Sequence, residues 1–365
     1  MADFSEYTGP SDEWIALERT LPEPMSGLTI EQLKAVTNKD REDLAAREMV
    51  EQGLQSRVIF SDHSIPTRDA SALKARTYRP AGVSASQRLP VYIHLHGGGF
   101  LFGTLSSEDS ICSRIVVALA EQDAAPLPVV VVNVDYRHTP EHRYPTAWND
   151  VEDALHWVHD HLDEIGGDGA NVLMGGISAG AWLTASTTLA QHLGENKELA
   201  SRPKIKGQVL MIPALVHYEC CEPQIMSLRD PQVSSWVQNR DAPILPLDRV
   251  KLFTELLEVR GGKEMEGDLR LNPGNVRAEQ VCGLPPTTIA VAGRDPLRDE
   301  GLLYARLLSE NGVPTRTSIF KGIPHGFRRY GDQLSVSKKW DEVMADGIRW
   351  ALREPVSEPF SIQDF

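Results

Sequence analysis

The sequence has few cysteines, no basic run and no long apolar run, and each absence argues against a class of protein. Only four cysteines occur in 365 residues, which is too few for a disulfide framework (Cys112, Cys220, Cys221 and Cys282). The 37 Lys and Arg are outnumbered by 51 Asp and Glu, so the net charge of −14 disfavours nucleic acid and anionic membranes as partners. No apolar segment approaches the ~18 residues of a membrane span, and the acidic Met1–Tyr7 is unlike a signal peptide. We therefore expect a cytoplasmic protein that has no membrane partner.

Short apolar runs alternate with amphipathic stretches from residue 56 onward. The runs predict strands at Val58–Phe60, Ala72–Tyr78, Leu89–Leu95, Pro128–Val134, Asn171–Met174, Ile205–Ile212, Thr287–Val291 and Thr315–Phe320. The stretches predict helices at Ser110–Glu121, Thr146–Asp163, Ala179–Leu193, Glu300–Asn311 and Ser335–Leu352. Val129–Val132 is apolar at every position, which indicates a strand buried on both faces. The predicted fold class is α/β, with a mostly parallel central sheet covered by helices.

The alternation is absent from two segments, and this divides the chain. Residues 1–55 are polar and charged with helical spacing, whereas residues 214–284 combine helical patterns with prolines and little strand signal. Ligand sites of α/β proteins lie at the carboxyl edge of the sheet, and the two segments are predicted to cap that edge. The predicted core comprises 56–213 and 285–352, and 353–365 is a C-terminal tail.

A Gly-x-Ser-x-Gly motif lies between a predicted strand and a predicted helix. In Gly176–Gly180 the serine is Ser178, directly after Asn171–Met174 and before the helix that begins near Ala179. Such a turn strains the backbone of the serine, and glycine at both flanking positions avoids a clash. The alternative is a tight turn that contains a serine by chance. The placement of the motif favours Ser178 as a nucleophile.

Three consecutive glycines follow the strand Leu89–Leu95. Because Gly97, Gly98 and Gly99 lack Cβ atoms, a carbonyl oxygen can closely approach their main-chain amides. The amides of Gly98 and Gly99 (or Gly97), together with that of Ala179, are candidates for an oxyanion hole. A phosphate-binding loop is disfavoured, because Phe100 follows where the Lys-Ser/Thr of such a loop is needed. The preceding His96 is expected to anchor the loop.

A serine nucleophile needs a base, and imidazole has a suitable pKa. Of the eleven histidines, His325 lies in a Gly/Pro-bounded loop after the last predicted strand, at the same edge as Ser178. An acid that orients the imidazole is expected between serine and histidine in the chain order typical of α/β-hydrolases. Asp295 follows Thr287–Val291, and Asp299 is its close rival. Asp295 is preferred because it is nearer to the strand, whereas Asp299 suits a helix cap.

Taken together, these motifs resemble the hormone-sensitive-lipase-type carboxylesterases, a group of α/β-hydrolases with a His-Gly-Gly-Gly loop. The resemblance spans 56–213 and 285–352 and includes, beyond the motifs above, Asp135–His142, Asp295–Gly301 and His325–Phe327. It implies Ser178 as nucleophile, His325 as base, Asp295 as orienting acid, and an oxyanion hole from Gly98, Gly99 and Ala179. It also implies a cap built from the N-terminus and an insertion. Ile177 stands where the family often has aspartate, so a carboxylate beside the nucleophile is absent.

The predicted function is hydrolysis of a carboxylic ester through an acyl-enzyme, without a cofactor or metal. The substrate is expected to be small and largely uncharged, since the cap segments offer Trp14, Trp236 and Phe253 but no basic cluster. Lactonase, deacetylase and acyltransferase chemistry use the same residues and stay open as alternatives. A non-catalytic receptor of the same fold is a further alternative, which the presence of His325 disfavours. A homodimer through a sheet edge or the last helix is compatible with the pattern.

Overall fold

The protein is described here by a computed structural model over residues 1–23, 27–121 and 126–365. Nine strands occur in these ranges: β1 (Val58–Pro66), β2 (Ala72–Pro80), β3 (Leu89–Leu95), β4 (Val130–Asp135), β5 (Gly167–Ile177), β6 (Gln208–Met211), β7 (Thr287–Arg294), β8 (Thr315–Pro324) and β9 (Gln363–Asp364). They form one sheet in the order β1-β2-β4-β3-β5-β6-β7-β8-β9. β2 pairs antiparallel with both of its neighbours, and the other neighbouring pairs are parallel. The predicted α/β class and mostly parallel sheet are confirmed.

Thirteen α-helices are present in the same ranges. They are α1 (Asp12–Glu18), α2 (Ile30–Glu51), α3 (Asp109–Ala120), α4 (Thr146–Asp160), α5 (Leu162–Ile165), α6 (Ala179–Leu193), α7 (Lys197–Ser201), α8 (Glu222–Met226), α9 (Ser235–Gln238), α10 (Leu247–Leu256), α11 (Ala278–Val281), α12 (Arg298–Glu310) and α13 (Val336–Ala351). The long predicted helices are found within a few residues of their predicted bounds. The prediction over 146–163 was wrong at its end, because α4 ends at Asp160 and α5 begins at Leu162.

The valines of β4 and the preceding Val129 show why this stretch is apolar at consecutive positions. Val130, Val132 and Val134 pack on one face with side chains of α4 and α6, whereas Val129 and Val131 pack on the other with side chains of α3 and α13. All five are fully buried. A strand covered on both faces has no position for a polar side chain that lacks a partner. The hydrophobic core therefore consists of two layers, one on each side of the sheet.

The segment after the last long helix was predicted as a tail, and it also contributes to the sheet. Gln363 and Asp364 form β9, which pairs parallel with Ser318 and Ile319 of β8. A two-residue strand carries no periodic signal, so the pattern of apolar residues did not predict it.

The carboxyl ends of the parallel strands meet at one edge, and two segments lie over it. One is α2, whose N-terminus is closed by a reciprocal pair of hydrogen bonds between Thr29 and Gln32. The other is the stretch 214–284, fully described, which contains α8, α9, α10 and α11 and no strand of the sheet. No helix in the described ranges is both long and apolar enough to traverse a lipid bilayer.

Candidate active site

Ser178 occupies a strained turn between β5 and α6. Its backbone dihedral angles, φ +55° and ψ −115°, lie outside the regions that residues other than glycine prefer. The flanking glycines make the turn possible. A Cβ on Gly176 would lie 2.4 Å from the carbonyl carbon of Gly180, and a Cβ on Gly180 would lie 2.0 Å from the carbonyl oxygen of Leu95. The fold thus requires glycine at both positions of the motif and presents the serine at the edge of the sheet.

The predicted serine, histidine and acid lie together at this edge. Nε2 of His325 is 3.0 Å from Oγ of Ser178, and Nδ1 of the same ring is 2.6 Å from Oδ2 of Asp295. All three side chains are buried. The other carboxylate oxygen of Asp295 accepts a hydrogen bond from the main-chain N–H of Leu297 at 2.9 Å, which holds the acid in place. The serine hydroxyl can therefore pass its proton to an imidazole whose opposite side faces a carboxylate.

The rival acid, Asp299, faces a different set of partners. Its carboxylate accepts hydrogen bonds from the main-chain N–H of Ser235 at 2.7 Å and from Nε of Arg298 at 2.8 Å. Arg298 is fully buried. Asn239 lies nearby and donates to the carbonyl oxygens of Gly293 and Asp295. Asp299 therefore joins the segment 214–284 to the loop that carries Asp295, and it does not contact His325.

The glycine loop presents main-chain amides beside Ser178. Gly98 and Gly99 have φ values of +132° and +61°, which glycine adopts at little cost. The N–H groups of Gly98, Gly99 and Ala179 have no acceptor among the described residues, so they are available to an oxygen of a substrate. The ring of Phe253 in α10 lies against Gly99, since a Cβ there would be 2.2 Å from its Cδ2. One segment over the edge thus packs directly on the candidate oxyanion hole.

Two histidines, the buried His96 and the half-buried His138, support the glycine loop. Nδ1 of His96 is 3.0 Å from the carbonyl oxygen of Gly97, and its Nε2 is 3.3 Å from Nε2 of His138. Burial, aided by the charge of Arg41, lowers the pKa of His96 to about 4. Burial likewise lowers the pKa of His138 well below its usual value, with the neighbouring His96 adding to the effect. Both rings are therefore neutral near pH 7, and His96 lies where it was expected to anchor the loop.

Sequence reasoning missed the link between α2 and the glycine loop. Nη1 of Arg41 donates to the carbonyl oxygen of Gly97 at 3.0 Å, and its Nη2 donates to Oε1 of Glu108 at 2.8 Å. The other oxygen of Glu108 lies 2.9 Å from Nε2 of His94. Burial raises the pKa of Glu108, but the hydrogen bond with His94 and the charge of Arg41 outweigh it and hold the pKa at about 2. Arg41 precedes Gly97 by 56 residues, and no local pattern marks it.

A cavity of about 210 Å³ opens onto Ser178 and His325. One face of α2 forms part of its wall, through Leu33, Thr37, Arg41, Leu44, Ala45 and Glu48. Of the three aromatic residues that the cap segments offer, Phe253 lines the cavity. The other two are not among the lining residues: Trp14 packs in the core beside Tyr330, and Trp236 packs beside Tyr218. No group of three or more His, Cys, Asp or Glu side chains in the described ranges is arranged to hold a metal ion.

The sequence and the fold are similar to those of known α/β-hydrolases and esterases. A family model described as an alpha/beta hydrolase fold matches residues 92–329. Esterase LipI of Mycobacterium tuberculosis is 33% identical over 264 residues, which are 72% of this chain and 72% of that protein. An ethyl acetate hydrolase of Pseudomonas putida is 31% identical over 290 residues, covering 78% of this chain and 79% of the other. Among solved structures, vibralactone cyclase superposes with a TM-score of 0.83 at 26% identity and covers 97% of this chain and 98% of its own.

Proposed function

Because this chain belongs to the α/β-hydrolase family, as a carboxylesterase of the hormone-sensitive-lipase type, we propose that Ser178, His325 and Asp295 perform its reaction. The protein is a serine ester hydrolase that acts on small esters. The observation that supports the assignment of the residues is the continuous hydrogen-bonded row Ser178–His325–Asp295, with distances of 3.0 and 2.6 Å.

In the proposed mechanism Oγ of Ser178 attacks the ester carbonyl carbon while Nε2 of His325 takes its proton. The imidazolium then gives this proton to the oxygen of the departing alcohol. Water enters, again assisted by His325, and attacks the acyl-enzyme to release the acid. Asp295 holds the Nδ1–H tautomer through both steps and stabilises the imidazolium without taking its proton.

The oxyanion that forms at each attack needs donors that are already in place. We assign this role to the amides of Gly98, Gly99 and Ala179, with Gly97 as the residue whose carbonyl fixes the loop. Arg41 and His96 both contact that carbonyl oxygen, at 3.0 Å each, so the loop is anchored from two sides. Loss of a single oxyanion donor typically costs ~2.7–4 kcal/mol of transition-state stabilisation.

The domain division is proposed on the same basis. Residues 1–55 and 214–284 supply the cap, through α2 and α10, which both line the cavity. The core comprises 56–213 and 285–352, and 353–365 adds β9 to it. We also propose a reducing, cytoplasmic environment, supported by the four cysteines, all of which are free thiols. A homodimer stays a proposal; the two edge strands of the described sheet are β1 and β9, which flanks β8.

Replacing Ser178 by alanine tests the assignment. Ser178→Ala should abolish turnover of a short-chain aryl ester and prevent labelling by a fluorophosphonate, because only an activated serine reacts. Ser84→Ala is the matched control, since Ser84 is exposed in the turn between β2 and β3. Turnover retained by Ser178→Ala, or lost equally in both variants, would contradict the assignment.

A further inference from the structure

The cavity concentrates positive charge in a chain that is negative overall. Five arginines and two glutamates are among its lining residues, which include neither lysine nor aspartate within the described ranges: Arg41, Arg114, Arg249, Arg328, Arg329, Glu48 and Glu108. The net charge of the whole chain is −14. The sequence showed no basic cluster because these arginines come from four separate segments and meet only in the fold. A positive site in a negative protein indicates a preference for an anionic group.

Three of the five arginines are neutralised by carboxylates. Arg41 pairs with Glu108 at 2.8 Å. Arg114 and Arg328 share Glu48, at 2.9 and 3.2 Å, and both also pair with Asp341 in α13. Each of these positive charges therefore has a structural partner and needs no ligand.

The other two, Arg249 and Arg329, contact only neutral acceptors in the described part of the chain. Nη1 of Arg249 donates to the carbonyl oxygen of Ile244 at 2.8 Å, and Nε of Arg329 donates to that of Gly326 at 3.2 Å. Neither forms an ion pair with a described carboxylate. Each guanidinium has five N–H donors, so several remain for a ligand.

The charges of these arginines act on one another. Arg329 lines the cavity and is exposed. Desolvation lowers its pKa, the neighbouring Tyr330 raises it, and the charges of Arg41 and Arg249 lower it further. Asp40 opposes this effect without forming an ion pair with Arg329 in the ranges described. Like charges held close together are unfavourable, and a bound anion would relieve the repulsion.

The unpaired arginines lie on the imidazole side of the site. Gly326 directly follows His325, and a Cβ on it would be 3.5 Å from Nη2 of Arg329 and 3.7 Å from Cγ2 of Ile244. Arg249 is bonded to the carbonyl of that same Ile244. Since His325 protonates the departing alcohol, the alcohol portion of a substrate occupies this side.

We propose that Arg249 and Arg329 bind a carboxylate carried by the alcohol portion of the ester. The preferred substrates are then short-chain acyl esters of hydroxycarboxylic acids, whose uncharged body lies against the apolar wall formed by Ile244, Leu245 and Phe253. This inference rests on the proposed function, and it leaves the chemistry unchanged: one water is consumed, the acyl–oxygen bond is broken, and a short acid and a hydroxycarboxylate are released.

The test compares esters that differ only in charge. 3- and 4-acetoxybenzoate are measured against the corresponding acetoxybenzamides, which replace the carboxylate by a neutral group of similar shape. For the wild-type protein, kcat/KM should be roughly tenfold or more higher for the carboxylate of at least one pair, as expected for charge-assisted hydrogen bonds. Arg249→Gln and Arg329→Gln should each lower this ratio by roughly tenfold, and Arg249→Lys should lower it less.

The matched control is Arg306→Gln. Arg306 lies on α12, pairs with Glu310 and is not among the lining residues. The control removes the same charge and should keep the wild-type ratio. Inhibition of the wild-type protein gives a second readout that needs no variant: hydroxybenzoate should inhibit more strongly than hydroxybenzamide.

Equal kcat/KM for acid and amide in the wild-type protein, or equal ratios in Arg249→Gln, Arg329→Gln and the control, would overturn the inference. Failure of the proposed function looks different. If Ser178→Ala still hydrolyses acetoxybenzamide, the catalytic assignment fails; if it does not, and the charge preference is absent, only the carboxylate site fails.

Discussion

Asp295 and Asp299 are four residues apart, equally buried, and predicted by the structure to respond differently to the same substitution. Replacing either by asparagine keeps the size of the side chain and removes its negative charge. At Asp295 the charge faces the imidazole of His325, whereas at Asp299 it faces the buried guanidinium of Arg298. The first substitution should therefore reduce the rate and the second should reduce the stability.

The expected loss of rate follows from the contact with His325. Asparagine at 295 can donate to Nδ1, which favours the tautomer with its proton on Nε2, and this tautomer cannot accept the proton of Ser178. Changes of this kind lower kcat by about 10,000-fold, which corresponds to about 5 kcal/mol. Because the imidazole is neutral, Asp295→Asn leaves no buried charge without a partner. The free energy of unfolding should therefore change less in Asp295→Asn than in Asp299→Asn.

The expected loss of stability follows from the contacts of Asp299. Removing one member of a buried ion pair costs ~3–5 kcal/mol. Arg298 keeps its hydrogen bonds to Gln238 and to the carbonyl of Gly293, so we expect the lower end, about 3 kcal/mol. Asp299 makes no hydrogen bond with Ser178 or His325 within the described residues. The kcat of the folded enzyme should therefore stay within about threefold of wild type, a difference of under 1 kcal/mol.

Two measurements separate the variants: kcat on a short-chain aryl ester, and urea unfolding followed by tryptophan fluorescence. Asp295→Asn should lie far below wild type in the first, and Asp299→Asn should show the lower midpoint in the second. A loss of 1,000-fold or more in kcat for Asp299→Asn (about 4 kcal/mol), with Asp295→Asn close to wild type, would show that the acid has been assigned to the wrong residue.

Two further variants test the glycine loop and its support. Gly99→Ala should lower kcat/KM roughly ten- to a hundredfold by displacing Phe253 and the oxyanion amides. Gly53→Ala is the control and should not lower it, because Gly53 has the same φ of +61° but a Cβ there would meet no atom within 4 Å. Equal losses in the two variants would mean that backbone strain alone is responsible. Because the pKa of His96 is about 4 in the fold against 6.5 normally, the unfolded chain binds more protons between these pH values, and stability should fall as pH decreases from 6.5 to 4. In His96→Gln, the free energy of urea unfolding should change less with pH over this range. An unchanged pH dependence would show that the lowered pKa of His96 is not its cause.

The pattern of apolar runs predicted the sheet, because a central strand that is buried on both faces is apolar at consecutive positions. Val129–Val132 is the clearest case, and each of its side chains is buried. The same logic brought Ser178, Asp295 and His325 together, since parallel strands place their carboxyl ends at one edge. Their roles as nucleophile, acid and base stay predictions that the variants above test.

What the sequence determined was local: which residues end a strand, which turns require glycine, and in what order the motifs follow. What only the tertiary structure decided was which distant side chains meet. Asp295 rather than Asp299 faces the imidazole, and Arg41 reaches the glycine loop from another segment. Arg249 and Arg329 line the same cavity as His325. Periodicity and turn chemistry involve only a few neighbouring residues, so the sequence predicts them. A hydrogen bond between distant residues, or a cavity lined by arginines from several segments, depends on how those segments pack, and no local pattern predicts that packing.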